Sequence, residues 1–175
     1  RVLFLAHTQE LINQATETFR KIWPSVTVGR YMEAIKQPNA HVVCGSVQSV
    51  ALHLDQFKDN DFDYLIVDEA HGAHFYFHEK FPKGALQCGA DIVINSVHKT
   101  LPAFTQTALL HMQGPLVNRE KVRKYLGIYQ TSSPSYILSA SIDGAVRHLA
   151  SADGERCLKE WHSSVTSVHK SLKNL

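Results

Sequence analysis

Two adjacent carboxylates, Asp68 and Glu69, close the run Tyr64-Leu65-Ile66-Val67, and a lysine, Lys99, follows Ser96-Val97-His98 further downstream. Four apolar or aromatic residues in succession read as a strand buried on both faces, as in a parallel sheet. Ligands of open α/β sheets bind beyond the carboxyl ends of such strands, so Asp68 stands where chemistry is expected. His71, His74 and His78 add three imidazoles at i, i+3 and i+7, a spacing that would suit zinc if it fell on one helical face. The aromatic run Phe75-Tyr76-Phe77 and the surrounding text account for those histidines without a metal, and none is assigned. Lys99 alone would be an ordinary solvated lysine; its neighbours are what single it out.

The elements that must hold these groups follow an α/β rhythm. Val2 to Ala6 reads as a buried strand, and Gln9 to Ile22 as a helix with Leu11, Ile12, Ala15, Phe19 and Ile22 on one stripe, Thr8 as its cap and Pro24 as its stop. A strand is expected around Val26 to Val28, then loop or short helix through Gly29, Pro38 and Asn39. His41 to Gly45 reads as a third strand, Ser46 to Leu54 as the opening of a helix, and Asp59-Asn60-Asp61 as a turn. Beyond His71 a loop runs through Phe81-Pro82-Lys83-Gly84, and Ala85 to Gly89 is at most one helical turn. Strands are expected at Ala90 to Asn95 and Thr107 to His111. Three helices close the chain. The first runs from a cap at Asn118 to Tyr129, the second from Tyr136 to Ala150, and the third from Glu155 to Leu172 with Leu158, Trp161, Val165, Val168 and Leu172 in phase. Their apolar stripes read as core or dimer surface. The expected fold class is α/β: a mostly parallel sheet with flanking helices and a helical C-terminal third.

Composition narrows the function classes only a little. A chain of 175 residues with 44% hydrophobic and 19% charged residues suits a globular domain with a sizeable core. A net charge of +2 is too small to argue for nucleic acid, and the cluster Lys121, Arg123, Lys124 reads as a solvated helix face. Cys44, Cys88 and Cys157 are odd in number and lack metal-ligand spacing, so reduced thiols and a cytoplasmic location are expected. No apolar run is long enough for a membrane span and nothing reads as a signal peptide. The chain starts at Arg1 inside a strand-like run, which reads as part of a longer sequence.

Up to His71 the text resembles the first motor domain of superfamily two helicases of the DEAH-like class. Leu5-Ala6-His7-Thr8-Gln9-Glu10-Leu11 with Gln14 is similar to the family's motif Ia, Ser46-Val47-Gln48-Ser49 to motif Ib, and Asp68-Glu69-Ala70-His71 to motif II. The resemblance implies that Asp68 holds Mg²⁺ on a nucleotide, that Glu69 orients the attacking water, and that nucleic acid is a partner. A hard cation does favour carboxylate oxygen, and phosphoryl transfer does need a positioned water. The phosphate cradle G-x-x-x-x-G-K-[ST] occurs nowhere in the chain, so Mg-ATP is the alternative cofactor and a motor remnant the alternative function.

From residue 62 onward the chain resembles, more closely, the major domain of the pyridoxal-phosphate-dependent ornithine, lysine and arginine decarboxylases of the aspartate-aminotransferase fold. The matching text is Val67-Asp68-Glu69-Ala70-His71-Gly72-Ala73-His74-Phe75, Gly89-Ala90-Asp91-Ile92-Val93, Ser96-Val97-His98-Lys99-Thr100-Leu101-Pro102-Ala103-Phe104-Thr105-Gln106-Thr107-Ala108 and Gln130-Thr131-Ser132-Ser133-Pro134-Ser135-Tyr136. By that resemblance Lys99 forms the Schiff base with pyridoxal phosphate and Asp68 pairs with its ring nitrogen. Ala70 packs on the ring face, and Ser96 and His98 lie by the phosphate or over the reacting carbon. It further implies decarboxylation of a basic amino acid and a homodimer approached through Thr131 to Ser133. The family's upstream phosphate loop and ring-stacking residue have no counterpart here, and the helicase-like segment stands in their place. The expected organisation is a chimera joined at Asp68 to His71, with residues 1–67 helicase-motor-like and residues 68–175 decarboxylase-like; an inactive chimera is the third reading.

Overall fold

The structure is a computed structural model that describes residues 1–58 and 60–173. Among them, seven strands form one sheet in the order β3-β2-β4-β1-β5-β6-β7. The strands are β1 (Val2–Ala6), β2 (Val28–Met32), β3 (Ile35–Lys36), β4 (Val42–Ser46), β5 (Tyr64–Asp68), β6 (Ile92–Ser96) and β7 (Ala108–Met112). The five central strands run parallel, and only the edge strands β3 and β7 are antiparallel to their neighbours. β1 pairs with both β4 and β5, so the sheet is continuous across Val67 and Asp68, where the two resemblances meet.

Helix α1 (Gln9–Ile22) follows β1, with the Thr8 hydroxyl accepting the Leu11 N–H at 3.3 Å as the cap. Its apolar stripe sets Ile12 into a core with Ala6, Met32, Val42 and Cys44, and burying an isoleucine completely is worth about 2 kcal/mol. On the opposite face, α2 (Val47–Ala51) sets Val50 against Tyr31 and Val43. A short 3₁₀ turn, Leu54–Gln56, then leads toward β5. Helices α5 (Tyr136–Leu149) and α6 (Ala152–Leu172) bring Ala145, Leu149 and Leu158 onto Val97, Leu101 and Ala73, closing the core at the ends of β6 and β7.

Two expectations shift. The second strand begins where Val26 to Val28 was expected to end. Gly29 belongs inside it because a Cβ there would collide with the Gln37 carbonyl and Ala40. The stretch expected as loop or short helix is in part a tight β2–β3 hairpin, turned through Glu33 at φ 45°, while Pro38 and Asn39 do lie in a loop after it. Of the turn at Asp59-Asn60-Asp61, Asp59 lies outside the described residues, while Asn60 takes φ 67° and the Asp61 carboxylate accepts the Lys58 N–H at 2.9 Å. Asn118 caps α4 (Arg119–Tyr129) by accepting the Lys121 N–H at 2.9 Å.

Candidate functional site

β5 lies between β1 and β6, in register Val67 with Val93 and Asp68 with Ile94. Pairing continues past the strand end: the Glu69 N–H donates to the Ile94 carbonyl at 2.9 Å and the Ser96 N–H to the Ala70 carbonyl at 3.2 Å. The two chain segments therefore leave the sheet side by side, one carrying Asp68 to His71, the other entering α3 (Val97–Thr100) with His98 and Lys99.

Successive residues of an extended chain point to opposite sides, and Asp68 and Glu69 have opposite environments. One Asp68 oxygen accepts the Ala70 N–H at 3.1 Å, and the other has no hydrogen-bond partner among the described residues. Glu69 is engaged by the protein. Its carboxylate accepts the Ala85 N–H at 2.7 Å, the Tyr76 hydroxyl at 2.8 Å and the Asn95 amide at 3.2 Å, and the same amide donates to the Glu69 carbonyl at 2.7 Å. Burial and the Glu69 carboxylate push the Tyr76 hydroxyl well above its ordinary pKa of 10, so it remains a donor. Gly72 and Gly84 complete this knot: a Cβ at Gly72 would overlap the Glu69 side chain, and one at Gly84 the Tyr76 ring.

A cavity of about 750 Å³ opens at the end of β5, lined by both Asp68 and Glu69, with Leu5, Leu65, Val67, Phe75 and Ala90 among its apolar walls. That is the size of a pocket for a small molecule. Ala70 and Gly72 also line it, and its basic groups are His7, His71 and Lys83. The His7 and His71 rings meet edge to face at 5.3 Å between centroids. Desolvation lowers the His71 pKa below 6.5; the Lys99 ammonium and His7 act the same way, and Asp68 opposes them. One imidazole thus feels both Asp68 and Lys99.

Lys99 itself is exposed, and neither it, Ser96 nor His98 lines the cavity. His98 turns away: its Nδ1 bonds the Thr107 carbonyl at 2.8 Å, the acceptor that also takes the Val97 N–H at 3.0 Å. A carbonyl can only accept, so Nδ1 carries the hydrogen and the other ring nitrogen is free to accept. The histidine spacing does not become one helical face. The 3₁₀ turn covers only Ala73–Phe77, and His74 packs into an aromatic group with Phe75, Phe81 and Trp161. Among the described residues no group of three or more His, Cys, Asp and Glu is placed to hold a metal ion.

Sequence reasoning missed Tyr76, Ala85 and Asn95 as the partners of Glu69. The one available signal was Asn95, a polar residue in an apolar strand and only 1% exposed.

The family model described as Orn/Lys/Arg decarboxylase, major domain, matches residues 32–175. The chain belongs to this decarboxylase family. It is 42% identical over 112 residues to the uncharacterized protein YaaO of Bacillus subtilis (strain 168), covering 63% of this chain and 23% of that one. It is 43% identical over 96 residues to an arginine decarboxylase of the same organism, covering 55% and 19%. The chain thus spans less than a quarter of the length of these two relatives. A weaker likeness, 37% identity over 73 residues, or 39% of this chain and 10% of the other, links it to the Saccharomyces cerevisiae protein named as helicase IRC3. No helix among the described residues is long and apolar enough to cross a membrane, and Cys44, Cys88 and Cys157 are all free thiols.

Proposed function

We propose that this member of the decarboxylase family binds pyridoxal phosphate between Asp68 and Lys99 and serves the decarboxylation of a basic amino acid. The observation that carries the reading is the unshared Asp68 oxygen at the end of β5, one strand away from the segment that presents the Lys99 amine. The donor set fits the two reactive ends of such a cofactor: a carboxylate to hold a proton at the ring nitrogen, and an exposed amine to hold the aldehyde carbon. Pyridoxal phosphate, where bound, supplies an electron sink for the carbon that loses CO₂.

The chain's own residues do the rest. Asp68 is oriented by the Ala70 N–H, which occupies one oxygen and leaves the other for the ring. Ala70, buried and without a side chain beyond Cβ, lets a flat ring approach the strand end. His71, its pKa held below 6.5, is a neutral imidazole at neutral pH that can accept a proton at the cavity mouth. Ser96 and His98, on the same segment as Lys99, are the proposed neighbours of the cofactor phosphate or of the reacting carbon. A basic side chain on the substrate and a cytoplasmic setting accord with the family. The exposed loop Thr131 to Ser133 is the proposed approach to a second copy.

The nucleotide-hydrolysing reading has the likeness to IRC3 in its favour and the Glu69 knot against it. A residue that orients a water needs a lone pair to spare, and three of the four on the Glu69 carboxylate are already taken by the protein. The test measures CO₂ release from ornithine, lysine and arginine with added pyridoxal phosphate, and phosphate release from ATP with Mg²⁺. The reading expects amine and CO₂ only with the cofactor, lost in Lys99→Ala; phosphate release that survives Lys99→Ala and fails in Asp68→Ala overturns it in favour of the motor remnant.

A further inference from the structure

A second concavity lies away from Asp68 and Lys99, between the His78-to-Pro82 loop and α6. One compartment of about 540 Å³ has aromatic and aliphatic walls, including His74, Phe81, Trp161 and Val165. An adjoining one of about 350 Å³ is lined only by Lys80, His162, Ser163, Thr166, Ser167 and Lys170. The two share Lys80, His162, Thr166 and Lys170, so an aromatic slot opens directly onto a basic, hydroxyl-rich vestibule.

The packing explains why the slot is preformed. Trp161 meets His74 at 4.7 Å and Phe81 at 5.5 Å between ring centroids, which fixes the indole plane, yet 41% of the residue remains exposed. An aromatic ring held rigid and half open presents a flat face on which a second ring can stack. The vestibule has one sign of charge. No carboxylate lines either compartment, and neither Lys80 nor Lys170 is in an ion pair among the described residues. Side chains spaced three and four apart on a helix share a face, which brings Ser163, Thr166, Ser167 and Lys170 of α6 together opposite Lys80.

We infer that this groove is a binding site for a phosphorylated aromatic ring, the ring seated against Trp161 and the phosphate held by Lys80, Lys170 and the Ser163 and Ser167 hydroxyls. Two sources carry that chemistry, a nucleotide and a phosphorylated pyridine, and the same experiment separates them. Isothermal titration of the full chain is run with ADP, with pyridoxine 5′-phosphate (which has no aldehyde to react with Lys99), and with adenosine, pyridoxine and inorganic phosphate as halves. At least one phosphorylated ring is expected to bind about tenfold or more tighter than its own two halves, apart from any pyridoxine phosphate held at Asp68, which the charge reversals at Lys80 and Lys170 leave untouched. Lys80→Glu and Lys170→Glu each weaken that binding about tenfold, Lys170→Arg restores it, and Lys99→Ala leaves it unchanged. ADP alone binding identifies a nucleotide site, and pyridoxine phosphate alone a second vitamin-like site. No phosphorylated ring binding better than phosphate, or binding indifferent to both charge reversals in variants that melt like the parent chain, overturns the inference.

Discussion

The knot around Glu69 and the edge around Asp68 are adjacent in sequence and opposite in character. Glu69 spends its hydrogen-bonding capacity on the protein, tying β5 to the Ala85 turn, to Tyr76 and to β6 through Asn95. Asp68 gives one oxygen to its own chain and leaves the other without a partner among the described residues, at the end of a strand where both carboxylates line the cavity. A carboxylate with three protein hydrogen bonds is held chiefly for structure, and one with an oxygen unshared is the more available for a ligand. Text alone gives the two residues equal standing; their partners separate them.

The comparison breaks most sharply by truncating each carboxylate in turn. Glu69→Ala strands the Ala85 N–H, the Tyr76 hydroxyl and the Asn95 amide, and is expected to cost about 3 kcal/mol in urea denaturation. Asp68→Asn keeps an oxygen for the Ala70 N–H and costs under about 1 kcal/mol while removing the charge at the cavity. Equal losses would erase the distinction.

Gly72→Ala and Gly84→Ala probe the knot from outside, each pushing a methyl into Glu69 or Tyr76, with an expected cost of about 2 kcal/mol apiece. Gly127→Ala, on the exposed face of α4 with open space around it, is the control. It is expected to be neutral or stabilising by up to about 1 kcal/mol. A Gly72→Ala chain as stable as its parent would show that the knot is looser than drawn.

Acid titration gives a smaller effect. Burial lowers the pKa values of His74 and His111 below 6.5, with the Glu69 carboxylate opposing in both. As pH falls through 6.5 the unfolded chain takes up protons that the folded chain still refuses, so stability is lost over that window and is level above it. The melting temperature should therefore drop below pH 6.5, with a shallower slope in His111→Gln; a melting temperature that rises on acidification contradicts the burial of these rings.

Local features were legible in the sequence because local chemistry writes them. The caps at Thr8 and Asn118, the apolar runs of β1, β4, β5 and β6 and the three C-terminal helices all form where their residues direct. The β2–β3 hairpin was not legible, since its glycine reads as a turn until a neighbouring loop is seen pressing on it. Nor was the direction of β7, because the antiparallel return depends on where the Thr107 carbonyl anchors the chain. The α6 stripe divides in a way no periodicity reveals: Leu158 enters the core, and Trp161 and Val165 line the groove instead. At the site, motif text singled out Asp68 and Lys99, whereas the engagement of Glu69 rests on partners as far away as Asn95 and appears only in three dimensions.

Covalent trapping tests the pairing of Asp68 with Lys99 most directly. The chain is incubated with pyridoxal phosphate, reduced with borohydride and mapped by peptide mass. The account predicts the pyridoxyl mass concentrated on the peptide bearing Lys99, absent from Lys99→Ala and strongly reduced in Asp68→Ala. Label spread evenly over the surface lysines, or label on Lys99 indifferent to Asp68→Ala, would contradict it.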